Sequence, residues 1–373
     1  VKPVAYKIYE PELLNGINID NIYRAGSRDP QRLMYLLGIR KVSDKTIVKG
    51  KKISDRFFPD PKIGWVKRAV KLGRILSENK KYCCIISTSP PMSTHLVAGQ
   101  LSDEFNIPWI ADFRDFWTSY KAEDWFDNKK QIEKALLLLQ EITGKASAVT
   151  VVNPAIKEYL NIGQVIYNSY DEDRAKLWRT PSVSDKFIIG ILGTIDDLCP
   201  IEPLFKLLLK LKEKNPELMK KIKLQQVGRV MADEFYAMLD KYNLDITCEL
   251  HHHQKREDTI RLLNDTSSLY IALSSEFGKG IMPGRMFDLL ASGRPILASV
   301  PTGSVVGHLV DESGNGICYN DDDSLVCAVE YLYRQINLFS QNKLIIQPLP
   351  EYAHKYSSQK MVEKFADIIN QLI

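Results

Sequence analysis

The chain contains no apolar run approaching the ~20 residues that a bilayer span requires, which excludes a helical membrane protein. No C-x-x-C pair occurs among its six cysteines, Cys83, Cys84, Cys199, Cys248, Cys318 and Cys327, so a cysteine-based zinc or redox motif is excluded too. These cysteines fall mostly within apolar runs, which predicts buried thiols in a reducing compartment. The N-terminus carries nothing like a signal peptide, and a cytoplasmic protein is expected. The glycine-rich G-x-G-x-x-G turn of nicotinamide dinucleotide sites is absent. Neither sign of charge dominates: 50 Lys and Arg against 46 Asp and Glu leave a net charge of +4. With 45% hydrophobic and 26% charged residues, disorder and fibrous folds are excluded.

What is present is an alternation of short apolar runs with longer amphipathic ones, the pattern of βαβ units around parallel sheets. In the first half it predicts strands at 83–87, 108–111, 148–152 and 165–167, with helices at 93–104, 130–143 and 154–160. Charged and turn-forming residues interrupt it over 169–186, the expected linker. The second half predicts strands at 187–192, 222–227, 246–250, 269–273, 295–300 and 316–319. Its helices are expected near 201–214, 231–242, 256–264, 284–292 and 323–338. The expected domains are therefore 1–168, Rossmann-like, and 187–350, doubly wound, followed by a helix over 351–373 that packs back on the first domain. The chain opens at Val1 with a strand-like run over 4–8, and the first domain is expected to lack its first βα unit.

The segment 282–297, MPGRMFDLLASGRPIL, is the most informative part of the second half. It reads as a loop, a short helix, Gly293 and a buried strand, an order that presents backbone N–H groups to a phosphate. Pro283, Gly284 and Arg285 stand at the helix start, and Asp288 one turn in could meet a sugar hydroxyl. Arg285 could equally cap its own helix, and Asp288 could be a surface carboxylate.

Several runs, taken in order, resemble the bacterial group 1 (family 4-like) glycosyltransferases of the GT-B fold. They are ISTSPPMSTHL (86–96), IPWIADFRDFW (107–117), FPD (58–60) with Trp65, VIYN (165–168), ILGT (191–194), PGRMFD (283–288) and GRPI (293–296). The match extends from about residue 57 to the end. It implies an α/β protein with two Rossmann-like domains facing a cleft. The implied enzyme is a retaining, metal-independent hexosyltransferase without cofactor, which moves a sugar from a nucleotide diphosphate sugar to a carbohydrate or lipid-linked hydroxyl acceptor. Surface polysaccharide or lipopolysaccharide synthesis is the implied setting. A nucleotide-sugar 2-epimerase and a catalytically silent sugar-nucleotide-binding or scaffold protein are the alternatives.

The resemblance assigns donor binding to Gly193, Thr194, Arg229, Pro283, Gly284, Arg285 and Asp288. Asp288 falls on the second acidic position of the family, seven residues before Pro295, and Gly280 stands where the first acid is usual. Glu276 is the candidate to replace that acid. The basic residues usual on the first donor-domain loop are also missing, since Thr194 follows Gly193. Arg285, and after it Arg229, are the cations left for a diphosphate.

Asp112 resembles in position a catalytic histidine of related enzymes, so it is expected to orient the acceptor hydroxyl or act as its base. Ser89, Ser93, His95, Arg114 and Asp115 are the acceptor candidates. The bland readings are an ion pair within 112–115 and an N-cap at Ser93. His251, His252 and His253 point to alternate sides of a strand end, and no metal site is expected there. The basic segments 40–56 and 62–81 are either solvated faces or peripheral contacts with an anionic membrane. They lack interleaved exposed aromatics, and nucleic acid is not an expected partner.

Overall fold

The computed structural model describes residues 17–26, 57–118, 126, 128–182, 184–275 and 278–373. The strand-like run at 4–8, the basic segment 40–56 and Glu276 lie outside them. The chain divides into two compact units, Val1–Ile166 with Phe365–Ile373, and Tyr167–Lys364.

The first unit is built on four parallel strands in the order β1 (Ile85–Ser89), β2 (Trp109–Phe113), β3 (Ala148–Val151) and β4 (Gln164–Val165). Every residue of β2 is buried, as expected of an inner strand covered on both faces. Its helices are α1 (Val66–Asn79), α2 (Ser93–Phe105), α3 (Lys129–Lys145) and α4 (Pro154–Leu160). Asn128 and Asn153 cap α3 and α4 by accepting the N–H groups of Gln131 and Ile156. Trp109, Phe113, Leu139, Ile142, Val149 and Val151 form the main core. A second cluster joins α1 to α2 through Val66, Ala69, Val70 and Val97.

Ser93 is not the cap of α2. It occupies the first helical position, and Asp60, far back in sequence, takes the capping role: its Oδ2 accepts the Ser93 N–H at 2.7 Å and the Ser93 hydroxyl at 2.8 Å. The thiols also depart from expectation. Cys83 and Cys327 are exposed and the other four are half-buried, because Cys83, Cys84 and Cys199 lie in loops, Cys248 and Cys318 on the two edge strands of the larger sheet and Cys327 on a helix.

After the short helix α5 (Glu172–Ala175), which lies inside the expected linker, the second unit contains β5 (Phe187–Leu192), α6 (Glu202–Lys214) and β6 (Ile222–Val227). Then come α7 (Ala232–Lys241), β7 (Thr247–His251), α8 (Arg256–Leu263), β8 (Ser268–Ala272), α9 (Arg285–Ser292) and β9 (Ile296–Ser299). The remainder is α10 (Val305–Ser313), β10 (Gly316–Tyr319), α11 (Asp322–Ser340) and α12 (Ser358–Leu372). The sheet is wholly parallel, in the order β10-β9-β8-β5-β6-β7. Strand order therefore reverses between β5 and β8, and the loops beyond their carboxyl ends flank the position where doubly wound sheets bind ligands.

The helix expected at 323–338 does not connect two strands. It follows β10 as α11, whereas α10 makes the last crossover, started by the Ser304 hydroxyl on the Gly307 N–H and ended by Gly314 at φ +62°. Phe187, Leu204, Phe205, Leu208, Leu224 and Phe235 lie at the centre of this unit's core. Helix α12 starts against the second unit's own chain. Glu172 accepts the Gln359 N–H at 2.7 Å and the Ser358 hydroxyl, completing a helix start whose other N–H groups donate to Tyr170 and Ser357. Among the described residues no helix is long and apolar enough to cross a membrane.

Candidate active site

In the second unit the site begins where β5 and β6 end. The Gly193 N–H donates to the Val227 carbonyl at 2.9 Å, and Gly228 packs so closely on Gly193 that a Cβ there would stand 2.4 Å from the Gly193 oxygen. Both glycines have positive φ, +103° and +144°. The fully buried Gln226 fixes the same peptide, its Nε2 donating to the Gly193 carbonyl at 2.9 Å, while its Oε1 has no partner.

Onto the bare face of Gly193 comes Arg285. A Cβ on Gly193 would fall 2.4 Å from Arg285 Nη1. Nη2 donates to the Cys199 sulfur at 2.9 Å, and the buried Nε has no partner. Cys199 belongs to a loop held from several sides. Its N–H and that of Leu198 donate to Asp196, the Ile195 N–H to the Arg229 carbonyl, and the Ser274 N–H to the Leu198 carbonyl. Burial pushes the Cys199 thiol up, and the Arg285 charge works against that shift. Thr194 is half-buried beside Gly193.

Helix α9 starts at Arg285 with Gly284 as its cap residue and no capping side chain. Gly284 is exposed, and a Cβ placed there would meet nothing within 4 Å, so this helix end is open to ligand. Asp288 is half-buried one turn further. Burial raises its pKa to about 6, opposed by the positive charges of Arg174 and Arg256 and assisted by Asp171. The structure thus brings Gly193, Arg285, Pro283 and Gly284 to one strand-end region, with Arg229 present through its backbone. Gly280 is buried.

In the first unit Asp112 lies in register between Thr88 of β1 and Thr150 of β3. It accepts both threonine hydroxyls, at 2.9 and 2.7 Å, and Arg114 Nε at 2.6 Å. Three donors thus fill three of the roughly four acceptor sites of a carboxylate that is only 3% exposed, and the remaining one lies on Oδ1. Arg114 also donates to the Ile166 carbonyl at 3.0 Å and lies over the Phe365 ring. Asp115 is exposed and receives the N–H of Phe116.

His95 is buried, its Nδ1 2.7 Å from the Ser87 hydroxyl, which also takes the Trp109 indole N–H at 2.6 Å. Burial lowers the His95 pKa to about 4, so the ring is neutral at pH 7. Ser89 and Ser93 are buried as well. Of the acceptor candidates only Asp115 and the half-buried Arg114 reach solvent. Among the described residues no group of three His, Cys, Asp or Glu side chains could hold a metal ion.

Sequence reasoning did not find Cys199, Gln226 or the two threonines around Asp112. The pair Gln225-Gln226 within a strand between Leu224 and Val227 was a legible signal, since a buried polar side chain needs a reason to be there. The Arg285–Cys199 contact, 86 positions apart, left none.

No protein-family model and no curated protein matches the sequence. Solved structures do match it. Sucrose-phosphate synthase from Thermosynechococcus elongatus superposes with a TM-score of 0.60 at 16% identity, covering 83% of this chain and 78% of that one. The lipopolysaccharide outer core galactosyltransferase WaaB, in its apo form, gives 0.54 at 12%, covering 82% and 80%. A glycosyltransferase from Rickettsia africae gives 0.59 at 14%, again covering 82% and 80%. The chain has the GT-B fold of glycosyltransferases, with two parallel α/β sheets of four and six strands.

Proposed function

We propose that the protein is a retaining glycosyltransferase that transfers a sugar from a nucleotide diphosphate sugar to a hydroxyl acceptor. The observation that carries this reading is the Arg285 guanidinium, laid on Gly193 at the strand-order reversal beside an open helix start. In the reaction the bond between the anomeric carbon and the diphosphate oxygen breaks, and negative charge collects on the departing nucleoside diphosphate. Arg285, through its guanidinium and its own main-chain N–H at the start of α9, stabilises that charge, which is the main electrostatic demand of the step. The acceptor oxygen bonds to the same face of the sugar, and its proton passes to the leaving phosphate. Asp288 accepts a hydroxyl of the donor. Asp112 orients Arg114 for the acceptor, and Glu276 is the candidate for the acid absent at Gly280.

Calorimetry with UDP, GDP and ADP tests the donor site. One of them binds the wild type, and the pair Arg285→Met, Asp288→Asn abolishes that binding; unchanged affinity in the double variant removes the assignment.

The setting proposed is assembly of a surface polysaccharide or lipopolysaccharide at the inner face of a membrane. Its support is helix α1, which buries Val66, Ala69 and Val70 and leaves Lys67, Arg68, Lys71 and Arg74 exposed. Vesicles containing anionic lipid are expected to carry the protein in flotation, and neutral vesicles not. Equal recovery from both would end the membrane proposal.

A further inference from the structure

Arg285 is oriented in an unusual way for a residue meant to meet an anion. Among the described residues no carboxylate forms an ion pair with it, and its one side-chain partner is a thiol. A carboxylate in that place would hold the guanidinium equally well but would cancel its charge. A neutral sulfur directs the group and leaves the charge available. Asp196, an acid of the same loop, is turned to the N–H groups of Leu198 and Cys199. The fully buried Gln226 holds the Gly193 carbonyl as well, so the peptide on which the guanidinium lies is itself fixed.

We infer that Cys199 is a positioning residue for the donor diphosphate. With the bare face of Gly193 it fixes the direction of the Arg285 guanidinium while keeping its charge unneutralised. The inference rests on the donor-site reading above and adds to it a residue that acts only through Arg285. It also accounts for how a first loop with Thr194 and Cys199 in place of basic residues can serve a diphosphate, because the loop contributes the holder and α9 the charge.

The test compares diphosphates with monophosphates, since a holder of Arg285 governs the second phosphate alone. Affinities for UDP, GDP and ADP and for UMP, GMP and AMP are measured on the wild type and on Cys199→Ala, Cys199→Ser, Cys199→Asp and Arg285→Met. Melting curves confirm that each variant is folded. For the nucleoside that binds, Cys199→Ala is expected to lose roughly three- to tenfold of the preference for diphosphate, the worth of one hydrogen bond, with monophosphate affinity kept. Cys199→Ser restores the preference. Cys199→Asp abolishes it as fully as Arg285→Met does. If Arg285→Met removes the preference and Cys199→Ala retains it, Cys199 has no positioning role. An equal fall in both affinities for Cys199→Ala likewise reduces it to a structural residue. A wild type that binds no diphosphate, or prefers it regardless of Arg285, overturns the donor-site reading itself and the inference with it.

Discussion

Asp60 serves Ser93 with a single oxygen, which accepts both its main-chain N–H and its hydroxyl at 2.7 and 2.8 Å. A residue from the loop before α1 thereby caps α2 from outside the helix. Both partners are buried, so removal of the carboxylate strands the two Ser93 donors and also takes the acceptor from the Lys62 N–H, which Oδ1 holds at 2.8 Å. Asp60→Ala is expected to lower stability by about 2 kcal/mol or more in urea unfolding. Nucleoside diphosphate affinity should not change, because the donor residues belong to the other unit. Wild-type stability in Asp60→Ala would mean that solvent replaces the cap.

The buried imidazole of His95 makes stability depend on pH in a defined direction. Its pKa falls from 6.5 to about 4 on folding, because burial disfavours the charged ring. Between those values the unfolded chain binds a proton that the folded one does not, so stability is full above 6.5 and is lost as pH falls towards 4. At pH 5 the loss from this residue should be about 2 kcal/mol relative to pH 7.5. His95→Gln cannot titrate, and its urea midpoint should move less across the same interval. Parallel pH profiles for the two proteins would show that the ring is not the source.

How far the fold was legible in the sequence depends on where each element's signal lies. Strands β5, β6 and β10 and helix α4 match their expected bounds, since an apolar run between charged or turn residues fixes both ends. Helix α4 also carries its own punctuation in Asn153, Pro154 and the left-handed Asn161. Helix α10 was missed because its interior contains Gly307 and His308, which interrupt the apolar pattern of Val305, Val306, Leu309 and Val310. Candidate site residues close in sequence, such as Gly284, Arg285 and Asp288, could be grouped from their spacing on one helix. The threonines around Asp112 and the partners of Ser93 and Arg285 could not, because they come from 24 to 86 positions away and only the packed sheets bring them near. The buried state of His95 was hidden for the same reason. Its position on α2 is plain from sequence, but which face meets Trp109 and Phe113 is decided by the sheet.

Asp288 provides the last prediction, which separates its role in stability from its role in binding. Burial raises its pKa from 3.8 to about 6, with Arg174 and Arg256 opposing the shift. The folded protein therefore holds the proton more tightly than the unfolded chain does. This residue's contribution to stability is greatest below 3.8 and is lost as pH rises through about 6. Asp288→Asn is accordingly expected to be more stable than the wild type at pH 7.5, and less so at pH 5. Binding should run the other way. If the carboxylate accepts a donor hydroxyl, affinity for the bound nucleoside diphosphate weakens as pH falls below 6. At pH 7.5 Asp288→Asn should bind about tenfold or more weakly, as expected for a charge-assisted hydrogen bond, and its affinity should vary little with pH. Calorimetry from pH 5 to 7.5 on both proteins decides it: the same pH dependence in the two would place the hydroxyl contact elsewhere, while opposite signs in stability and affinity at pH 7.5 would confirm that α9 keeps an unfavourably buried carboxylate for its ligand.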